Sequence, residues 1–344
     1  MRFSLFFFSD DGSSAEQHKY HFLVESAKFA DQAGFVAVWT PERHFHSFGG
    51  LYPNPSVLGA ALSMVTQRVQ IRAGSVVLPL RNPIHVAEEW SVVDNLSNGR
   101  VGISFASGWH PDDFVLSPGS YIDRREVMFR GIETIQTLWQ GESIRFTGVN
   151  DDEVEVKLFP RPLQAHLPTW ITTSASLESW IRAGKMGANV LTALIDQGVD
   201  ELENKISIYR DSLAKNNHDP CAGQVSLMLH TFVGEDLDAV RETVRRPLCN
   251  YLSRQLGLIS KKRDLKVDPN VFSENDKEAL VACAFERYFR TSSLLGTPDK
   301  CLRQIERLGA TGVDEIACMV DFGVSDSHTF ESLRHLRKLI QLVS

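Results

Sequence analysis

The stretch "VQIRAGSVVLPLRNPIHVAEEWSVVDNLSNGRVGISFASGW" (69–109) decides the fold of this chain. It begins with "VQIRAGSVVL" (69–78) and ends with "VGISFA" (101–106) and a short loop. Both runs are short, apolar and rich in β-branched or aromatic residues, as buried strands are. Between them Pro83 stands where a helix begins, and a helical pattern continues to Leu96. A strand, a helix and a second strand at this spacing predict one unit of a parallel sheet.

The same unit recurs on both sides of this stretch. The other strand-like runs are "FSLFFF" (3–8), "FVAVW" (35–39), "TWITT" (169–173), "ANVLTAL" (188–194), "VSLMLHTFV" (225–233) and "DEIACMV" (314–320). Eight strands that alternate with helices predict a TIM (β/α)8 barrel with insertions, in a single α/β domain over 1–344. Two segments break the rhythm: a predicted hairpin at 141–168, and a polar insertion at 255–275 that is a candidate lid.

Composition and charge exclude several classes of protein. Apolar residues make up 43% and charged residues 23% of the 344 residues, which is ordinary for a globular protein. The net charge of −7 argues against a general nucleic-acid binder, and no apolar run is long enough to span a membrane. The five cysteines are scattered without a C-x-x-C pair, so neither a disulfide framework nor a zinc site is predicted. We expect a soluble, cytoplasmic protein.

Polar residues that follow the strands are the candidates for chemistry, because a TIM barrel builds its active site at the carboxyl ends of its strands. The candidates for proton transfer are His44 and His46 after strand two, His110 and Asp113 after strand four, and His230 in strand seven. Histidine suits this task because its pKa lies near neutrality. We favour His44 as the catalytic group, whereas His46 is more often a plain loop residue. No metal is expected, because the paired histidines lack a third ligand at a recognisable spacing.

A cluster of hydroxyl side chains, "TTSASLES" (172–179), joins strand five to the next helix. The first N–H groups of a helix are unpaired and bind phosphate, and the hydroxyls of Thr173, Ser174 and Ser176 would add donors. Simple capping of the helix by Ser174 or Ser176 explains the cluster equally well. The spacing alone leaves both interpretations open.

Four long segments carry a resemblance to a known family. They are "FVAVWTPERHFHSFGG" (35–50), 54–109, "LPTWITTSASLESWIRAGKMGANVLT" (167–192) and "LLGTPDKCLRQIERLGATGVDEIACMV" (294–320). In this order the chain resembles the bacterial luciferase superfamily almost from end to end, and the insertion at 255–275 is its least alignable part. The amino-acid sequence of these segments looks closest to the branch of the family associated with natural-product biosynthesis. Members of that branch often serve polyketide or nonribosomal peptide assembly lines.

The resemblance implies a two-component monooxygenase that binds reduced FMN from a separate flavin reductase and uses oxygen. It also implies residue roles. His44 matches the active-site histidine of the family, with His110 and Asp113 as further catalytic candidates. Gly74 and Ser75 fall where the family carries a cis peptide behind the flavin ring. Together with the hydroxyl cluster, the full set of candidate cofactor-binding positions is Gly74, Ser75, Ala106, Ser107, Trp109, Thr173, Ser174 and Ser176.

Two positions depart from luciferase itself. Ser107 stands where luciferase has an arginine on the flavin phosphate, so the charge partner of the phosphate is open. Ala106 stands where luciferase has a reactive cysteine, and light emission is not implied. The resemblance further implies a homodimer, for which the apolar run "VLGAALSMV" (57–65) is a candidate contact.

Two other functions compete with the monooxygenase. A deazaflavin-dependent dehydrogenase would use the same barrel for hydride transfer, and a noncatalytic flavin-binding or docking barrel would use it for no reaction. The substrate is a small molecule or an intermediate carried by an acyl carrier protein. An acidic carrier would dock on Lys261, Lys262 and Arg263, although such a run is more often a solvated loop. Neither a nucleic acid nor a membrane is expected as a partner.

Overall fold

The computed structural model describes residues 1–8, 18–195, 197–259 and 274–343. Its strands are β1 (Arg2–Phe6), β2 (Ala37–Thr40), β3 (Gln70–Val77), β4 (Val101–Ala106), β5 (Ile144–Thr147), β6 (Glu153–Val156), β7 (Thr169–Thr172), β8 (Asn189–Ala193), β9 (Val225–Val233), β10 (Leu294–Gly296) and β11 (Glu315–Met319). Its α-helices are α1 (His21–Ala33), α2 (Pro55–Ser63), α3 (Pro83–Ser97), α4 (Arg124–Gln140), α5 (Leu177–Lys185), α6 (Val199–Lys215), α7 (Leu237–Ile259), α8 (Glu274–Thr291), α9 (Pro298–Ala310) and α10 (Asp326–Val343).

Eight parallel strands close into a barrel. They follow the order β1-β2-β3-β4-β7-β8-β9-β11, and β11 pairs with β1 to complete the ring. Helices between successive strands cover the outside, so the strands are buried along most of their length. The predicted TIM barrel is confirmed.

The unit that decided the fold is built as its sequence indicates. Helix α3 begins at Pro83 after Asn82, whose side chain accepts a hydrogen bond from the amide of Ile84 (2.9 Å). It ends at Asn98, which adopts a left-handed conformation (φ 59°). Its Trp90 is fully buried against the barrel. The helix is therefore fixed at both ends and along its inner face.

A buried ion pair crosses the barrel interior. The Arg72 guanidinium donates to both carboxylate oxygens of Glu315 (3.0 and 2.9 Å), and neither side chain reaches solvent appreciably. The same guanidinium lies over the rings of Trp39 (4.8 Å) and Trp170 (4.4 Å). Ser4 donates a further hydrogen bond to Glu315 (2.7 Å). This polar layer joins five strands of the barrel: β1, β2, β3, β7 and β11.

The two irregular segments have different outcomes. The hairpin predicted at 141–168 is confirmed, because β5 and β6 pair antiparallel within it. In the insertion at 255–275, helix α7 continues through the first part and α8 begins at Glu274, while residues 260–273 lie outside the described part. The sequence pattern did not indicate α8, α9 or the short strand β10, which pairs with the end of β9. None of the helices in the described ranges combines the length and the apolar character that crossing a membrane requires.

Candidate active site

The main cavity opens at the carboxyl ends of β4, β7, β8 and β9 and has a volume of about 320 Å³. Its lining residues are Phe8, Arg43, Phe48, Ala106, Ser107, Gly108, Trp109, Thr172, Thr173, Ser174, Thr192, Ala193, Ile195, Met228 and Gln255. Five of the predicted cofactor-binding positions therefore line this one cavity: Ala106, Ser107, Trp109, Thr173 and Ser174. A mostly apolar cavity of this size with a few polar groups is typical of a cofactor or substrate site.

The hydroxyl cluster divides into two roles. Ser174 lines the main cavity just before α5, where the unpaired N–H groups of the helix begin. Ser176 is the cap of α5: its hydroxyl accepts from the amide of Ser179 (3.4 Å), and it is absent from the cavity lining. Thr173 lines the cavity and its hydroxyl reaches the carbonyl of Ser176 (3.4 Å). The geometry thus separates the binding candidate Ser174 from the capping residue Ser176.

A lysine that the sequence analysis did not single out supports the Ser174 loop. The ammonium group of Lys205 donates to the carbonyl oxygen of Ser174 (2.9 Å) and to Gln197 (3.0 Å), and the residue is only 5% exposed. Glu201 pairs with it from the solvent side at 2.7 Å. The helical spacing from Leu202 and Tyr209, which are buried, was the available signal: Lys205 is a charge on the inner face of α6.

A chain of buried hydroxyl groups begins at Thr172, which lines the cavity. Thr172 hydrogen-bonds to Ser104 (2.6 Å) and to Ser75, so β3, β4 and β7 are linked at this level. The peptide bond between Gly74 and Ser75 is cis, as the resemblance implied. Gly74 has no room for a side chain, because a Cβ atom there would lie 2.6 Å from the ring of Phe6.

Arg43 and two aromatic rings are also part of the cavity lining. The guanidinium lies over the rings of Phe8 (5.3 Å) and Trp109 (5.1 Å), and the residue is 4% exposed. Next to Trp109, Gly108 adopts φ +77°, and a Cβ atom there would meet Phe114 at 2.9 Å. The chain after β4 therefore turns sharply and presents Trp109 to the cavity.

His44 does not line the main cavity. It lies in a neighbouring open depression, and Arg43 contributes to the walls of both. The imidazole Nε2 of His44 lies 3.1 Å from Glu42 Oε1, and the other oxygen of Glu42 accepts from the amide of Val77 (2.7 Å). Glu42 is almost completely buried and is also approached by Arg81 (3.6 Å). His44 is thus oriented by a carboxylate that is itself anchored to the end of β3.

Comparison with known proteins fits this geometry. Residues 1–315 match the luciferase-like monooxygenase family. The chain belongs to this family. It is therefore an enzyme, an oxidoreductase, and the noncatalytic alternatives are wrong.

Three relatives illustrate the range of this family and fold. The oxygenase component of the flavin-dependent trigonelline monooxygenase of Acinetobacter baylyi is 27% identical over 347 residues, which cover 98% of this chain and 93% of that protein. The structure of the monooxygenase RslO1 from Streptomyces bottropensis has a TM-score of 0.83 at 23% identity and covers 99% of both chains. An F420-dependent secondary alcohol dehydrogenase has a TM-score of 0.74 at 18% identity over 100% of this chain and 99% of that one. At these identities the two structures show the fold alone.

Three further groups of this luciferase-like monooxygenase meet beside Arg43. His46, His110 and Asp113 each place one potential ligand atom within 4.8 Å of the others, and the rings of the two histidines are 4.5 Å apart. Burial raises the pKa of the Asp113 carboxyl, although the charge of Arg43 opposes this. The fold supplies the third metal ligand that the sequence spacing lacked, so that part of the argument against a metal was wrong. A guanidinium near the site still disfavours a second cation by repulsion. That the protein holds no metal stays a prediction, which elemental analysis of the purified protein tests.

His230 faces an inner chamber of about 90 Å³ that shares Phe8 and Met228 with the main cavity. The imidazole is enclosed by the rings of Tyr251 (4.6 Å), Tyr288 (5.4 Å) and Phe322 (5.4 Å). Burial lowers its pKa to about 3, and its Nε2 has no hydrogen-bond partner in the described part of the chain. His230 is therefore neutral at physiological pH.

This burial makes stability depend on pH. Because the folded-state pKa of His230 lies below the value of 6.5 for an unperturbed histidine, the unfolded chain binds the proton more readily. We expect the free energy of unfolding to fall by about 2 kcal/mol, attributable to this group, between pH 7 and pH 5. His230→Gln should lose less stability over the same range, measured by urea unfolding at each pH. Parallel pH profiles for the two proteins would show that His230 is not buried as a neutral group.

Proposed function

We propose that this protein is the oxygenase component of a two-component monooxygenase that binds reduced FMN from a separate flavin reductase. The observation that carries the proposal is the position of Ser174, in the main cavity at the beginning of α5, where a phosphate meets unpaired N–H groups. The relative from Acinetobacter baylyi, an oxygenase component that depends on flavin, supports both the cofactor and the reductase.

The residues of the main cavity fit FMN. The phosphate would lie against Thr173 and Ser174, with the buried charge of Lys205 behind the loop. Ser107 would add a hydroxyl where luciferase has an arginine, so Lys205 and the start of α5 would supply the positive potential instead. The flavin ring would lie against Trp109, close to Thr172, whose hydroxyl is bonded to that of Ser75.

Reduced FMN, when bound, supplies the electrons that activate O2. The protein would contribute position, proton transfer and exclusion of water. We assign proton transfer to His44, held in orientation by Glu42 at 3.1 Å. Phe8 and Phe48 cover the cavity with apolar surface and keep water from the reacting atoms. His110 and Asp113 remain candidates for a second proton-transfer path, since both are buried near Arg43.

A pair of serine variants tests the phosphate site. Ser174→Ala should weaken the binding of FMN about tenfold and leave riboflavin almost unchanged, because only FMN carries the phosphate that this hydroxyl would bind. Ser176→Ala should instead lower the free energy of unfolding by about 0.5–2 kcal/mol, as the loss of a helix cap does, and spare the preference for FMN. Fluorescence titration with both flavins measures the first effect and urea unfolding the second. Equal losses for FMN and riboflavin in Ser174→Ala would remove the phosphate from this position.

The deazaflavin-dependent dehydrogenase is the second candidate function, because an F420-dependent dehydrogenase has the same fold over the full chain. The two functions differ in the fate of oxygen. A monooxygenase incorporates an atom of O2 into its product, whereas hydride transfer does not use O2. Mass spectrometry after incubation with reduced flavin and labelled oxygen separates them.

For the substrate, we propose a biosynthetic intermediate of the natural-product type, free or bound to an acyl carrier protein. The amino-acid sequence of the segments around His44 and after β4 supports this substrate class. The docking patch of Lys261, Lys262 and Arg263 lies outside the described residues. The labelled-oxygen assay should be run with free acids and with carrier-bound thioesters, to show which of the two forms is oxygenated.

A homodimer, expected from the family, also remains a proposal. Val57 of α2 and Met64 directly after it are 64% and 70% exposed, and Val92 and Leu96 of α3 are 43% and 46% exposed. Neighbouring apolar side chains on two adjacent helices are the kind of surface that a second copy would cover.

A further inference from the structure

Two buried arginines of this protein have opposite environments. Arg72 and Arg43 are both almost inaccessible, at 3% and 4% exposure, and each guanidinium lies over two aromatic rings. Arg72 is neutralised inside the barrel by both carboxylate oxygens of Glu315. For Arg43, by contrast, the described part of the chain holds no hydrogen-bond acceptor for Nε or Nη2. The fold therefore neutralises one buried guanidinium and leaves two nitrogens of the other, Nε and Nη2 of Arg43, without an acceptor in the described part of the chain.

Arg43 is held so that it faces the main cavity. Its guanidinium lies 5.3 Å from the ring centre of Phe8 and 5.1 Å from that of Trp109, and all three residues line the cavity. Gly49 makes room for the stem of the arginine, because a Cβ atom there would lie 2.7 Å from Arg43 Cγ. Asp113 acts on Arg43 through its charge, but within the described ranges no carboxylate oxygen lies within 4.0 Å of the guanidinium. Packing, and not an ion pair, fixes the position of the group.

A buried guanidinium without an acceptor is costly, and its charge persists because arginine does not lose its proton in proteins. A ligand carboxylate would satisfy it, since the planar guanidinium matches the two carboxylate oxygens with two parallel hydrogen bonds. The rings of Phe8 and Trp109, which line the same cavity, suit a flat, unsaturated or aromatic skeleton attached to that carboxylate. The proposed phosphate position near Ser174 has donors of its own at the beginning of α5.

We propose that Arg43 is the carboxylate-binding residue of this enzyme and that its substrate is a planar carboxylic acid, oxygenated with the acid group held by Arg43. The proposal rests on the proposed function, because the acid would be the compound that the flavin site oxygenates. It narrows the substrate class to free acids, since a thioester linked to a carrier has lost this negative charge. The pyrimidine edge of the flavin is a second possible source of acceptors for Arg43. The experiment below distinguishes the flavin from a substrate carboxylate.

Calorimetric titration tests the proposal in protein saturated with FMN and in protein without it. The probes are benzoate and cinnamate, each compared with its amide, which has the same shape and no charge. We expect the native protein to prefer each acid over its amide. Arg43→Gln should abolish this preference and weaken acid binding at least about 30-fold, as the loss of one partner of a buried charged pair does. Arg43→Lys should recover only part of it, because lysine lacks the planar pair of donors.

Controls separate the possible failures. Arg130→Gln removes an exposed arginine of α4 and should leave the preference unchanged. Thermal unfolding of each variant shows whether it folds. If Arg43→Gln does not fold, Arg43→Lys still tests the proposal. The proposal is overturned if the native protein binds acids and amides equally. It is also overturned if Arg43→Lys weakens reduced FMN but leaves the acid preference intact, which would assign Arg43 to the flavin. If acids bind through Arg43 while reduced FMN does not bind at all, the carboxylate site stands and the proposed function fails.

Discussion

Replacing His44 with alanine should lower the rate of substrate oxygenation by about 10²–10⁴-fold, the usual cost of losing a positioned acid or base. The affinity for reduced flavin should stay within a few-fold, because His44 lies outside the lining of the main cavity. The physical reason for a specific loss is its orientation by Glu42, which is anchored to the amide of Val77. Incorporation of labelled oxygen measures the rate, and fluorescence titration measures flavin affinity.

His166→Ala is the matched control for this variant. His166 is an exposed histidine just before the amino end of β7, whereas the cavity opens at the carboxyl ends of the strands, and its loss should leave the rate unchanged. Near-normal oxygenation by His44→Ala would contradict the assignment. The proton-transfer role would then pass to the buried pair of His110 and Asp113, which would be replaced next.

Replacing Glu315 with glutamine should lower the free energy of unfolding by about 3–5 kcal/mol, the largest stability change that we expect from a single substitution here. The carboxylate is fully buried and accepts two hydrogen bonds from Arg72, so its removal leaves a buried guanidinium without a counter-charge. Glutamine keeps only one acceptor oxygen, so Arg72 and Ser4 would compete for it. Urea unfolding followed by circular dichroism measures the change.

Glu153→Gln is the matched control for this stability change. It breaks the Arg145–Glu153 pair of the hairpin, which has nearly the same length (3.0 Å) but about 70% exposure on both sides. Such an exposed pair contributes about 0–1 kcal/mol because water screens it. Similar losses in the two variants would mean that the interior of the barrel is hydrated and that the ion pair is not a closed polar layer.

The barrel could be predicted because its information is local. The strand patterns and the start of α3 at Pro83 depend on residues close together in the chain, and the ends of β9 match the predicted limits of 225–233. Helix α8 and strand β10 were missed for physical reasons. The three residues of β10 are too few to show a period, and they are held by pairing with β9, which only the folded chain provides.

The sequence predicted which strand ends carry the site, but it predicted few of the contacts between the site residues. Ser174 and Trp109 were indicated by position after β7 and β4 and by family resemblance. Arg43 lies in the quoted segment 35–50, but the sequence analysis assigned it no role. That its Nε and Nη2 lack an acceptor emerges only when Phe8 and Trp109 pack around it. Asp113 joins the two histidines only through the turn after β4, a contact that no sequence spacing encodes.

The central claim is that the main cavity binds reduced FMN for an oxygenation reaction. An anaerobic titration of the purified protein with reduced FMN, oxidised FMN and reduced deazaflavin, run in parallel, tests it most directly. The account predicts one saturable site per chain for reduced FMN, with weaker binding of oxidised FMN and of the deazaflavin. Tighter binding of the deazaflavin, or no saturable binding of reduced FMN, would contradict it.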